Sequence, residues 1–177
     1  MVYITSDTHF NHANILKYCP NTRKYSSVDE MNEHMVTEWN NVVQPDDTVY
    51  HLGDVGFGLA KTIEVVSQLN GKKILIKGNH DTRFLKTQEF ASLFEEVYEY
   101  YTFKYKNVDI VMFHYPILNW DRMRYGSIHF HGHTHGTINS VPNLRRMDVG
   151  VDATGNVVTL LNEAVSKMTA IDYRSGF

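Results

Sequence analysis

The chain has 177 residues, 42% of them apolar and 21% charged, with a net charge of −3. That is long enough for one hydrophobic core and short for two, so a single domain over residues 1–177 is expected, and the chain is too apolar to be disordered. Without a Lys/Arg excess it lacks the electrostatic footprint that long nucleic acids require, no run approaches the roughly 18 apolar residues of a membrane span, and the first residues lack a secretory signal. With Cys19 as its lone cysteine, a reducing, cytoplasmic setting is expected.

In chain order, residues 2–5 form a β-branched and aromatic run that predicts a buried strand ending at Ser6-Asp7. Ser27 and Glu30 make a capping box for a helix running to about residue 40, with Met31, Met35, Val36 and Trp39 at helical spacing. A strand over residues 48–52 stops at Gly53-Asp54. A helix over residues 59–70 follows, with Ile63, Val66 and Leu69 inward and Gly71 as its cap. Residues 73–77 read as a third strand, and this alternation of strands and helices is that of a sheet with crossover helices.

A short helix near residues 90–94 leads to strands over 97–105 and 108–113, joined by a tight turn at Lys106-Asn107. Further strands are predicted over 128–131, 145–151 and 157–161, and a helix over 163–170.

Five short strings place oxygen or nitrogen donors where an apolar run stops: Asp7-Thr8-His9, Gly53-Asp54, Gly78-Asn79-His80-Asp81, Phe113-His114-Tyr115-Pro116 and Gly132-His133-Thr134-His135. In open α/β sheets such strand ends converge on one site. Carboxylate, imidazole and amide oxygen form a donor set suited to manganese, iron, zinc or nickel, and a carboxylate such as Asp54 can bridge two cations that share a water. Of the ten histidines, His129 and His131 share the alternation of His133 and His135 but lie inside a strand, where packing or support of the ligands is the plainer reading. His34 reads as a solvated helix residue, and the aromatics between Tyr98 and Tyr105 as sheet packing.

The order and spacing of these strings closely resembles the calcineurin-like metallophosphoesterases. The resemblance implies an α/β fold, a four-layer α/β/β/α sandwich in which helices cover two facing mixed sheets and the metals sit at one edge. It implies two divalent transition-metal ions, manganese foremost, with Asp7, His9 and His135 on the first, Asn79, His114 and His133 on the second, and Asp54 bridging. It also implies that His80 lies beside the metals without ligating them, stabilising the developing charge or protonating the leaving oxygen, with Asp81 orienting its ring, in a reaction that proceeds by in-line attack of metal-activated hydroxide.

The second string continues as Val55-Gly56-Phe57-Gly58, without the further acid many relatives carry, which weakens a protein-phosphatase reading. The run Asp7-Thr8-His9-Phe10-Asn11-His12-Ala13-Asn14-Ile15 resembles the small bacterial and phage branch. The expected activity is hydrolysis of a phosphodiester in a small molecule or nucleotide. Phosphomonoesterase, nuclease and catalytically silent scaffold are the alternatives, and the oligomeric state is left open. His12, Arg122 and Arg124 are candidate substrate contacts, and Arg23, Lys24 and Arg83 further candidate phosphate ligands.

Overall fold

Successive strand residues point to opposite faces, and here the two faces feed two different cores. The computed structural model describes residues 1–138 and 143–173. Along it run β1 (Val2–Thr5), α1 (Ile15–Tyr18), α2 (Val28–Val42), β2 (Thr48–His51), α3 (Leu59–Val66), β3 (Lys72–Ile76), α4 (Gln88–Ala91) and β4 (Glu96–Tyr98). Then come β5 (Tyr100–Tyr105), β6 (Val108–Phe113), β7 (Ile128–His131), β8 (Arg146–Asp148), α5 (Val151–Thr154), β9 (Thr159–Leu160) and α6 (Leu161–Thr169). One sheet has the order β4-β3-β2-β1-β9, parallel except for β9, and the other β5-β6-β7-β8, parallel except for β5.

Tyr3, Val49 and Leu75 face the helices, packing with Met31, Met35 and Trp39 of α2, Val65 and Val66 of α3, and Phe90 of α4. Their neighbours Ile4, Tyr50 and Ile76 face the second sheet and meet Ile110, Met112, Ile128 and Phe130. The apolar stripe of α6, Leu161, Ala164, Val165 and Met168, enters this second core. On the far side of the second sheet, Trp120 lies against His129 with ring centroids 5.3 Å apart. Two mixed sheets flanked by helices are thus the α/β architecture that the resemblance implies. Among the described residues no helix is long and apolar enough to cross a membrane.

Local signals place several elements. The Ser27 hydroxyl accepts the Glu30 N–H at 3.1 Å, opening α2 with one half of the capping box, while the Glu30 carboxylate accepts the Ser26 N–H at 2.7 Å in place of that of Ser27. Lys106 and Asn107 both take positive φ, 45° and 68°, closing the β5–β6 hairpin with the twist that such turns demand.

Elsewhere tertiary structure overrides pattern. The strand expected over 97–105 divides at Glu99, and β4 and β5 belong to different sheets, so the chain crosses from one layer to the other with Tyr98 and Tyr101 stacked 4.3 Å apart. The helix expected to reach residue 70 stops at Val66 and buries Thr62, Val65 and Val66. Its tail is drawn towards α2 instead, where the Trp39 indole N–H donates to the Asn70 carbonyl at 3.0 Å and the Asn40 side chain accepts the Asn70 N–H at 2.8 Å. The strand expected over 145–151 keeps only residues 146–148, because Gly150 leaves the sheet to bridge Ser6 beside β1.

Candidate metal centre

Five parallel strands from both sheets end at one edge of the sandwich: β1 delivers Asp7 and His9, β2 Asp54, β3 Asn79 and His80, β6 His114, and β7 His133 and His135. The loops that follow interlock through their backbones. Asp7 N–H donates to the Gly53 carbonyl at 2.9 Å, His9 N–H to Asp54 at 3.1 Å, and Gly132 N–H to His114 at 2.9 Å. Such close packing accounts for two of the glycines. A Cβ added at Gly132 would stand 2.3 Å from Asp7 Oδ2, and one at Gly53, whose φ is +96°, would stand 2.3 Å from the Gly78 nitrogen.

The strand-end loops turn so sharply that five donor residues take left-handed backbone themselves: Asp7 (φ 56°), His9 (49°), Asp54 (56°), His133 (69°) and His135 (47°). Asp and His tolerate this region better than most residues, and backbone of this kind concentrates at functional sites.

Six of the donors form two groups, Asp7 with His9 and His135, and Asp54 with His114 and His133. A single oxygen of Asp54, Oδ2, lies 3.7 Å from His9 Nε2 and 3.5 Å from His114 Nε2, within reach of both groups. Asn79 joins the second through its Oδ1, hydrogen-bonded to His114 Nε2 at 3.1 Å. The Tyr115 hydroxyl donates to the same oxygen at 3.4 Å, and its ring stands edge-on to His133 with centroids 4.6 Å apart.

The electrostatics of the cluster fit cations. Asp7 Oδ1 and both ring nitrogens of His9 are buried without a hydrogen-bond partner, a costly state for polar atoms in a protein interior. Burial pushes Asp7 up to about 7 and His9 down to about 2, so the protein alone favours neither the carboxylate nor the imidazolium. A cation held there would supply the missing positive charge and take the idle lone pairs. Burial also opposes the charge of Asp54, yet the nearby His114 imidazole and the His80 N–H, donating to Oδ1 at 3.0 Å, hold it below the usual carboxylate range.

A ring of supporting groups surrounds the donors. His135 Nδ1 is hydrogen-bonded to Asp152 Oδ2 at 2.7 Å, and Asp152 in turn accepts from Arg23 Nε at 2.8 Å and Nη2 at 3.0 Å. Arg23 is 2% exposed and also donates to the backbone carbonyls of Asp7 and Thr8, so it braces the first loop and does not clamp phosphate. His114 Nδ1 is fixed by the Leu52 carbonyl at 2.7 Å. Partners of this kind orient metal-ligating imidazoles. Asp152 carries no motif and stands far along the chain from its partners, which hid it from sequence reasoning. The one local signal was its place just after a predicted strand.

His80 lies beside the donors. Its ring is 3.8 Å from Asp54 Oδ2 and rests against Phe57 with centroids 4.7 Å apart, while its side chain is 42% exposed to the cleft. The orienting role expected of Asp81 is corrected: both its oxygens face inward and accept the N–H groups of Asp54 (2.9 Å), Val55 (3.0 Å) and Gly78 (2.9 Å). It ties the second and third loops together.

The substrate role expected of Arg122 and Arg124 is corrected as well. Arg122 pairs with Asp109 at 2.8 Å, and Asp109 precedes His114 by five strand residues, about 16 Å at ~3.3 Å per residue. Arg124 lies in the 3-10 turn Met123–Tyr125, just before β7 begins, so both arginines belong to the opposite end of the strands. His12 does reach the site. Its ring lies 5.4 Å from that of His9, and it lines the same cleft as His80 and His133. His129 and His131 make their bonds to backbone: His129 Nε2 accepts the Ile117 N–H at 3.3 Å and its Nδ1 lies 3.3 Å from the Val111 carbonyl, while His131 Nδ1 is hydrogen-bonded to the Gly132 carbonyl at 2.9 Å.

Comparison with known proteins bears on this geometry. A model of the calcineurin-like phosphoesterase superfamily domain matches residues 1–151. An uncharacterised protein of Methanocaldococcus jannaschii is 41% identical over 141 residues, covering 76% of this chain and 69% of its own. The gene 66 protein of Mycobacterium phage L5 is 27% identical over 190 residues, 89% of each chain. The crystal structure of AQ665 from Aquifex aeolicus, a protein of unknown function, aligns with a TM-score of 0.73 at 26% identity over 95% of this chain and 98% of its own. With every donor described above inside the matched span, the chain belongs to the calcineurin-like phosphoesterase superfamily and is a metal-dependent phosphoesterase.

Proposed function

We propose that the protein is a dinuclear phosphodiesterase acting on small substrates, with two divalent ions, manganese foremost. Asp7, His9 and His135 would hold one ion and Asn79, His114 and His133 the other. The observation that carries this reading is Asp54 Oδ2, within 3.7 Å of His9 and 3.5 Å of His114, placed to serve both ions. Ions held there supply Lewis acidity towards phosphoryl oxygens and an activated water.

The chain's own residues do the rest. His80 stands at the mouth of the site, fixed through its backbone N–H on Asp54 and its ring on Phe57, with its imidazole open to the cleft. From there it can give a proton to the departing alkoxide, which is otherwise a poor leaving group. A diester is preferred to a monoester because the described lining of the cleft contains no Lys or Arg to meet a monoester's extra charge. A lone, half-buried Cys19 supports a reducing compartment such as the cytoplasm.

Manganese-loaded protein is expected to hydrolyse bis(p-nitrophenyl) phosphate faster than p-nitrophenyl phosphate. His80→Asn should lower kcat on an alkyl diester by about 10²–10⁴-fold with bound metal unchanged, and lower it less on an aryl one, whose phenolate leaves without a proton. Absence of turnover on both aryl esters, or an unaltered rate on the alkyl diester in His80→Asn, overturns the proposal.

A further inference from the structure

Apart from the contact of Phe57 with His80, one wall of the cleft takes no part in the chemistry above. The cleft has a volume of about 680 Å³, within the range of small-molecule sites. In this wall the rings of His12 and Phe57 lie flat against each other, centroids 3.8 Å apart and planes 14° apart. Tyr18, 69% exposed, stands edge-on to His12 at 6.0 Å, and Ile15 and Ile138 add apolar surface to the same lining. Tyr18 and Phe57 lie outside both hydrophobic cores. Because Phe57 also touches His80, the aromatic surface begins where the reacting ester would lie.

Resting on the phosphodiesterase reading, we propose that the outer face of the His12 ring, backed by Phe57, stacks on a nucleobase, and that the substrates are small phosphodiesters with a nucleoside arm. Stacking on aromatic side chains accepts any base, since every base has a π-face. Tyr18 and Thr137 bring hydroxyl groups to the same lining, which a base or ribose can use and a bare aryl ring cannot. The described lining offers no Lys or Arg, so a strand or polyphosphate, which needs many phosphate contacts, is poorly matched. His12 and Phe57 are then specificity-determining residues.

Calorimetric titration of the manganese-loaded protein with thymidine 5′-phosphate, phenyl phosphate and methyl phosphate tests this, since all three carry the same head group. Thymidine 5′-phosphate is expected to bind roughly tenfold or more tightly than methyl phosphate. That ratio should collapse towards one in His12→Ala, fall in Phe57→Leu, which removes the ring behind His12, and be kept in His12→Phe. Equal dissociation constants in the wild type, phenyl phosphate matching the nucleotide, or loss of the ratio in His12→Phe each overturns the nucleobase face. Hydrolysis of bis(p-nitrophenyl) phosphate is measured beside it: if hydrolysis is absent but the ratio holds, the nucleobase face stands and the enzymatic reading falls.

Discussion

Asp152 is one carboxylate with three demands on it: the His135 ring, the Arg23 guanidinium and the Thr22 hydroxyl, the last donating at 2.5 Å. Burial opposes its charge, but the His135 and Arg23 partners hold it well below the ordinary carboxylate range. Asp152→Asn keeps the shape and removes the charge, leaving a buried Arg23 without its counter-ion. The expected outcome is a loss of about 10–100-fold in affinity for the ion proposed at Asp7, His9 and His135, measured by competition with a chelator. Urea unfolding of the metal-free protein should show a loss of up to about 3–5 kcal/mol. An unchanged metal affinity would reduce Asp152 to a purely structural strut. Asp81 shows the limit of motif reading at this scale: type and position follow the family string, yet three backbone N–H groups claim its oxygens before any side chain can.

At the scale of elements, α2 is the piece most fully determined by its own sequence. Its cap, its apolar spacing and its buried Met31, Met35 and Trp39 agree, which is the consistency that favours folding. Trp39 is fully buried, and its N–H satisfies the Asn70 carbonyl at the turn after α3. Trp39→Ala is expected to cost about 3–5 kcal/mol and Trp39→Phe clearly less, as read from urea midpoints. Equal losses would mean that the hydrogen bond, not the packing, dominates. The helix ends and the β4–β5 break were not legible, for a different reason. Nothing at Glu99 punctuates the pattern as Gly or Pro would, and what splits the run is that Glu96–Tyr98 pairs with β3 while Tyr100–Tyr105 pairs with β6. Pairing partners so distant in the chain leave no local mark. The β5–β6 turn, set by two adjacent residues, leaves a clear one.

For the molecule as a whole, buried neutral imidazoles give stability a defined response to acid. His51 and His129 are pushed down to about 3, mainly by burial. His51 bonds through its ring to the Thr8 hydroxyl at 2.9 Å and the Gly53 N–H at 3.2 Å. In the unfolded chain each titrates near 6.5, so between 6.5 and 3 the unfolded state binds more protons than the folded one. The stability tied to these groups is complete above pH 6.5 and is lost as pH falls towards 3, at up to about 1.4 kcal/mol per pH unit for each. Urea midpoints of His129→Gln should therefore fall less steeply than those of the wild type between pH 6.5 and 4, and parallel slopes would show that His129 takes up its proton as readily in the folded state as in the unfolded one.

The two-residue β9 and the nine-residue α6 close this scale of organisation: β9 pairs antiparallel with β1 and α6 buries Leu161, Ala164, Val165 and Met168 between the sheets. The family model ends at residue 151, short of all of these and one position short of Asp152. A fragment trimmed to that boundary would keep Asp7, His9, Asp54, Asn79, His114, His133 and His135 while losing Asp152 and stripping the flank of the strand that presents Asp7 and His9. Recombinant pieces cut by homology alone would thus carry the proposed ligands on an unsupported frame.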